Sequence, residues 1–404
     1  MEFSIKQSVL KEELGYIQGV VERKTTIPVL SNILIESLGE GSIRIVGTDL
    51  DVTIRCDAEA DIKTPGAMCI QARKLFDIVR NLADGDIHFK KEENEWVVLK
   101  AGRAKFRLAG VNKEQYPEIP MFKSAPMKLS SEVFSYFIQN TAFAITNETS
   151  RFTLSGAKFI YDGERARMVT TDGHRLAFIE KQLEEKTEAA MDALIPKKAL
   201  LELVKISRAD GGDVSFGEDQ NHIYFETGGR LLITRKLTGN FPNYEMVMPK
   251  DNDKKVVFDL ADMKSAVRRM SLMADERNRS IRMTVRPGEV EVTAQSSEEG
   301  EGNEFVPADY EGEETLLAFN HQYLQEFLNN VGALESATDG GTETATDDDE
   351  PKSDGTNAAT ARAKDSKPPT RISFEFKDSN AATQIRIDGE ASYDYKYIVM
   401  PLRI

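Results

Sequence analysis

Two unrelated markers recur in this chain at one spacing, and that spacing constrains the fold more than any other feature. An acidic residue followed by two apolar ones, Asp77-Ile78-Val79, returns as Glu202-Leu203-Val204 and again as Glu326-Phe327-Leu328, at steps of 125 and 124 residues. Each follows an apolar strand: Met68-Cys69-Ile70, Leu194-Ile195 and Leu316-Leu317-Ala318-Phe319. Tyr116-Pro117 likewise returns as Phe241-Pro242, 125 residues on. Self-similarity at a fixed period means that one supersecondary unit is built repeatedly. The 404 residues therefore read as three units rather than one core.

Within each unit the order is the same. A short strand (Phe3–Ile5, Met127–Leu129, Val256–Phe258) leads into an amphipathic helix (Val9 to Val21, Glu132 to Ala144, Ala261 to Ala274). Period-two strands such as Ile33-Leu34-Ile35 and Ser42-Ile43-Arg44-Ile45-Val46 follow, then the marker's strand and helix, then a closing strand pair. Two helices and many antiparallel strands per unit predict an α+β fold with helices on one side of a sheet. Pro-bearing stretches near Pro120–Pro126 and Pro249–Asp253 place the boundaries, giving units at 1–125, 126–250 and 251–404.

The third unit is longer because of one segment. From Glu335 to Pro369 there is no Val, Ile, Leu, Met, Phe, Trp, Tyr or Cys, and nine acidic residues face four basic ones. Such a segment cannot bury enough apolar area to fold, so disorder is expected at about 335–369, between a helix ending near Val331 and the strand Ile372–Phe376. Each doubling of a loop costs only about 0.6 kcal/mol, so three doublings cost about 2 kcal/mol and the fold tolerates the insertion. It is read as an inert spacer, with a regulatory or partner-binding tail as the alternative.

Composition removes several function classes. The net charge of −15 argues against holding nucleic acid by a broadly basic surface, because such binding draws its affinity from phosphate neutralisation. No stretch approaches the ~18 apolar residues of a membrane helix. Met1-Glu2-Phe3-Ser4-Ile5 enters an alternating strand with no basic and apolar leader regions, so no secretory signal is expected. Cys56 and Cys69 form neither a disulfide framework nor a CxxC pattern, which suggests a reducing, cytoplasmic setting. His88, His174, His222 and His321 show no metal-ligand spacing, so neither a metal nor a cofactor is expected. Phosphate-cradling glycine loops and GxSxG are absent.

The most distinctive run is Thr170-Thr171-Asp172-Gly173-His174-Arg175-Leu176-Ala177 after the strand Arg167-Met168-Val169. Three readings stand. Asp-Gly between apolar strands forms a turn; the run forms part of a binding surface; or Asp172 and His174 act as an acid/base pair in a hydrolase. A multidomain protein-binding scaffold without DNA is a further alternative.

The repeat, that run, Ile27-Pro28-Val29-Leu30-Ser31-Asn32-Ile33-Leu34, Gly47-Thr48-Asp49-Leu50, Phe241-Pro242-Asn243-Tyr244 and the terminal Tyr397-Ile398-Val399-Met400-Pro401-Leu402-Arg403-Ile404 together resemble the bacterial sliding clamp family, the beta subunits of the replicative DNA polymerase III. The resemblance covers the whole chain except the insertion. It implies three clamp domains and a head-to-tail dimer closed into a ring, with helices lining the hole and antiparallel sheets outside. It implies a non-enzymatic processivity factor that slides on duplex DNA and tethers the polymerase catalytic subunit, the clamp loader and repair proteins. A ring retains DNA by enclosure, so the acidic net charge is no obstacle.

The resemblance also assigns residues. Arg73, Asp77 and Arg80 fall on one face of their helix, with Leu75, Phe76, Ile78, Val79 and Leu82 on the core side. With Arg73 and Arg80, Lys197, Lys198, Lys205, Lys264, Arg268 and Arg269 would line the hole, and Lys24 and Arg151 fall near loop positions that touch DNA. Arg103, Lys105 and Arg107 alternate with Phe106 and Leu108, a basic strand edge that would meet the acidic Glu298, Glu299, Glu301 and Glu304 around a second edge strand, with Leu272 and Met273 as apolar partners. A partner-peptide pocket for a segment bearing Gln and a Leu/Phe pair would use Leu154, Thr171, Gly173, His174, Arg175, Leu176, Pro242, Val247, Ile398, Val399, Met400, Pro401 and Leu402. Met246 stands where some members carry a basic residue, so the ionic contact of those members is not implied here. Burying one Leu and one Phe at about 1.5–3 kcal/mol each, less ordering costs, suggests affinity near micromolar.

Overall fold

A computed structural model describes residues 1–22, 26–39, 41–121, 124–148, 150–184, 186–208, 211–298, 300–338 and 369–403. Six helices lie among them, each directly after a strand: α1 (Gln7–Ile17), α2 (Ala72–Val79), α3 (Ser131–Thr141), α4 (Lys197–Arg208), α5 (Leu260–Met270) and α6 (His321–Thr338). They pack in the pairs α1 with α2, α3 with α4 and α5 with α6, which is the repeat seen in space. Local chemistry starts them. Asp259 Oδ1 accepts from the Ala261 N–H (2.7 Å) and caps α5, and Ser130 Oγ accepts from the Val133 N–H (3.3 Å) and caps α3. Gln7 Nε2 donates to the Val79 carbonyl (2.7 Å), tying the start of α1 to the end of α2.

The expected helix ends differ in kind. The last turns near Ala144 and Ala274 are separate 3-10 turns, Ala142–Ala144 and Ser271–Met273. Helix α6 runs past Val331 to Thr338, because Ala333, Leu334, Glu335 and Ala337 all favour helix. The rest of the segment expected to be disordered, 339–368, lies outside the described residues.

The chain divides into two compact units, 1–172 with 179–242, and 173–178 with 243–404. The first holds two of the three repeats, and the reason is a shared sheet. Val52–Glu59 of the first repeat pairs antiparallel with Arg230–Arg235 of the second, so nine strands run without a break from Gly110–Val111 to Met127–Ser130. Ion pairs reinforce the seam: buried Arg230 bonds both oxygens of Glu13 (2.7 and 3.0 Å) and Glu12 (3.0 Å) and lies over the Tyr16 ring at 4.4 Å. Lys198 of α4 bonds Asp49 and the Val20 carbonyl (2.9 Å). A five-stranded sheet in the order Asp61–Thr64, Glu2–Lys6, Asp86–Lys91, Val97–Ala101, Ala104–Leu108 carries the stacked Phe3 and Phe89 on its inner face. The aromatic core of the second repeat is Phe134 with Phe159, Phe216 and Phe225.

In the second unit eight strands lie in the order Asp394–Val399, Thr383–Ile387, Arg371–Phe376, Lys254–Asp259, Gly300–Asp309, Glu289–Ser296, Ser280–Arg286, Thr315–Asn320. Phe258, Phe319 and Phe374 meet edge-on at its core. One expectation is corrected here. Gly300–Asp309 is not a sheet edge, because Glu289–Ser296 pairs along it on one side while Lys254–Asp259 pairs with Ala308 and Asp309 on the other. The strand outruns that second neighbour, and among the described residues only Ala308 and Asp309 are paired on that side.

Candidate functional site

The distinctive run folds as a turn leading into the strand Arg175–Gln182. Gly173 sits at φ +91°, a conformation a side chain resists, and this turns the chain between Asp172 and His174. In the second unit the His174 carbonyl accepts from the Met400 N–H (3.1 Å), and the Leu402 N–H donates to the Ala318 carbonyl (2.7 Å). These bonds fix the end of the chain beside the turn. Arg175 is 7% exposed, pairs with Glu326, lies over the Tyr323 ring at 4.5 Å and donates to the Tyr397 hydroxyl (3.4 Å). Burial works against its charge, but Tyr397 and Glu326 outweigh it and hold the guanidinium above its ordinary pKa. The His174 ring stacks on Tyr323, centroids 6.4 Å apart.

The peptide-pocket candidates separate by exposure. Ile398, Val399 and Leu176 are buried, and the neighbours Ile398 and Val399 point to opposite faces of their strand, so both faces of the sheet are covered there. Met400 (48%) and Val247 (52%) are exposed, as are Gly173 and His174, and Pro401 and Leu402 are half-buried. In the first unit Leu154 and Thr171 are buried and Pro242 is exposed. The repeat spacing marks Glu326 but not its partner: Asp77 pairs with Arg80 (3.1 Å) and Glu202 with Lys205 (2.7 Å) three residues on, whereas Asn329 stands three residues after Glu326, which pairs with the distant Arg175. Tyr323 carries no sequence signal, since an aromatic on a helix reads as core, and Tyr397 stands out only as the first residue of the terminal motif.

The cations expected to face DNA differ in how free they are. Arg73, Lys264 and Arg268 join no ion pair among the described residues. Arg80, Lys198 and Lys205 pair with acids, and Arg151 pairs with Glu148 (3.2 Å) and donates to the Asp172 carbonyl (2.7 Å). Lys197 donates to Asn147 Oδ1 (3.2 Å). Arg269 pairs with Glu304, so a residue expected to face DNA and one expected at the dimer junction bind each other. Lys24 lies outside the described residues. Arg73, Arg80, Lys198, Gln18 and Glu22 line a hollow of about 610 Å³. Phe76 lines it too, which corrects its assignment to the core: it stands three residues after Arg73 and four before Arg80, on their stripe, with Arg80 5.9 Å over its ring.

At the basic strand the alternation holds. Ala104–Leu108 is an edge strand, Arg103, Lys105 and Arg107 are exposed, and Phe106 and Leu108 are half-buried. Arg107 lies over Trp96 at 4.3 Å and bonds Glu92 (2.7 Å). In the second unit Leu272 is 70% exposed and Met273 half-buried; Glu298 and Glu301 are exposed, and Glu299 lies outside the described residues. No cluster of potential metal ligands occurs among the described residues, and no helix is long and apolar enough to cross a membrane.

Comparison with known proteins gives this arrangement its family. The DNA polymerase III beta subunit models match in order: the N-terminal domain at 1–120, the central domain at 128–243 and the C-terminal domain at 245–336. The beta sliding clamp of Pseudomonas putida is 32% identical over 331 residues, 81% of this chain and 90% of that protein. That of Caulobacter vibrioides is 32% identical over 339 residues, 82% of this chain and 91% of that protein. The crystal structure of the sliding clamp from Pseudomonas aeruginosa bound to griselimycin superposes with a TM-score of 0.84 at 29% identity, covering all of both chains. The hydrolase reading of Asp172 and His174 falls with this, since the family is a non-catalytic polymerase subunit. The chain thus belongs to the DNA polymerase III beta subunit family, the beta sliding clamps, and is a processivity clamp.

Proposed function

We propose that two copies of the chain close head to tail into a ring that encircles duplex DNA without reading its sequence, and that the ring carries the polymerase catalytic subunit, the clamp loader and repair proteins in the cytoplasm. The domains would run 1–125, 126–250 and 251–404. The junction would join the edge strand Ala104–Leu108, with Arg103, to the open part of Gly300–Asp309, with Glu298 and Glu301 beside it. Phe106 and Leu108 would cover the exposed Leu272 and the half-buried Met273 of the partner subunit.

One observation carries the reading: five of the ten cations assigned to DNA (Arg80, Arg151, Lys198, Lys205 and Arg269) are already paired with the chain's own carboxylates, in a molecule of net charge −15. Little positive charge is left for counterion release, so enclosure has to do the retaining. Arg73, Lys264 and Arg268 would keep the inner face from repelling phosphates. Protein loaded on closed circular DNA should remain bound in high salt and leave once the circle is cut. Binding that salt removes regardless of DNA ends would overturn the proposal.

Partner-peptide contacts would fall, in the second unit, to Gly173, His174, Arg175, Leu176, Val247 and the terminal residues Ile398 to Leu402; in the first unit the residues assigned to the peptide are Leu154, Thr171 and Pro242. In this arrangement Arg175 would work from beneath, holding Tyr323 and Tyr397 in place, while Met400, Val247 and His174 meet the peptide.

A further inference from the structure

The turn Asn243–Val247 presents an apolar pair under conditions that core-forming residues avoid. Met246 is 81% exposed and its neighbour Val247 is 52% exposed. The turn is built rather than loose. Asn243 Oδ1 accepts from the Glu245 N–H (3.2 Å), the Val247 N–H donates to the Tyr244 carbonyl (3.1 Å), and the Tyr244 ring packs 6.0 Å from Phe178 on the strand that begins at Arg175. A Met on a fixed turn is an adaptable apolar contact that takes either an aliphatic or an aromatic partner.

The charges of the second unit around this turn are unequally committed. Arg175 is paired with Glu326, and Lys396, 5.2 Å over the Phe178 ring, is paired with Asp394 (2.7 Å). Glu245, by contrast, is exposed and joins no ion pair among the described residues. The next cation along the chain, Lys250, lies beyond Pro249. Lys250 is likewise exposed and joins no ion pair among the described residues, but it stands five residues on, so a segment lying on the turn itself meets apolar surface beside the exposed Glu245 carboxylate.

We propose that the turn Asn243–Val247 reads the flank of the bound partner peptide, favouring an apolar residue beside a basic one and disfavouring an acidic one. The proposal rests on the pocket reading above and adds the chemistry of the partner to it. Glu245 supplies the charge preference, and Met246 with Val247 supplies the apolar contact.

The test uses the full chain and short labelled peptides bearing Gln and a Leu/Phe pair, identical except for a flanking Lys, Leu or Glu, with affinity read by fluorescence anisotropy. Exposed charge pairs contribute about 0.2–1 kcal/mol, so the Lys peptide should bind about 1.4- to fivefold more tightly than the Glu peptide at low salt. The gap should close at high salt. Glu245→Gln should abolish the preference for Lys, and Met246→Arg should reverse it in favour of Glu; both positions are exposed, so the fold is retained. Tight but equal binding of all three peptides overturns the flank proposal alone. Failure of all three to bind overturns the pocket reading and the flank proposal with it.

Discussion

Arg230 shows how much one side chain can hold. Its guanidinium is buried with both oxygens of Glu13, a hydrogen bond to Glu12 and the Tyr16 ring, all across the seam between the first two repeats. Removing one partner of a buried pair leaves the other charge uncompensated, which costs about 3–5 kcal/mol. Arg230→Met should lower the urea midpoint accordingly, and pairing it with Glu13→Leu should restore part of the loss. Glu2 behaves differently. Hydrogen bonds from Lys63 and then Lys90 push its carboxyl down to about 2. A carboxylate depressed in the folded state stabilises above its ordinary pKa of 4.5 and loses that contribution as pH falls from there toward 2. Glu2→Gln should flatten the fall in stability across that window in acid titrations followed by circular dichroism. Neither pairing was visible beforehand, because Arg230 and Glu13 lie 217 residues apart and no periodicity links them.

Strands and helices were far more legible than their partners. The short strand before α1, α3 and α5 and the marker helices α2, α4 and α6 follow directly from apolar periodicity and from the repeat. Position on an element was legible too, as at Arg103 to Leu108, where period-two alternation alone separates charged from apolar faces. What failed was finer. Being apolar, Phe76 reads as core, yet a helix eight residues long has only a narrow buried stripe, held by Ala72, Leu75 and Val79. Ile398 and Val399 lie in the pocket run and are buried, which apolar composition alone does not distinguish from an exposed contact such as Met400. The open edge at Ala104–Leu108 leads to a prediction. Truncating a central interface anchor costs about 2 kcal/mol or more, so Phe106→Ala should raise the dissociation constant for self-association roughly thirtyfold. Sedimentation at graded concentrations measures it, and an unchanged constant would move the junction elsewhere.

Taken entire, the chain is three repeats by sequence but two compact units by packing. The period reveals the repeats because each must build the same core, whereas nothing in the period says which repeats will share a sheet. The acidic stretch in the third repeat follows a separate logic. Since a longer loop adds only about 2 kcal/mol of closure cost over three doublings, replacing 339–368 with a short Gly-Ser connection should leave the melting temperature level or raise it by a few degrees, with loading onto DNA unaltered. A collapse of either would show that the stretch is structural. The shared sheet between Val52–Glu59 and Arg230–Arg235 bears on how such a protein can be recombined with its relatives. A crossover near Pro120 would splice two halves of one sheet from different ancestors and force foreign strands to find register along the seam. A crossover near Asn243 leaves that sheet whole, so viable chimaeras should cluster at the later joint.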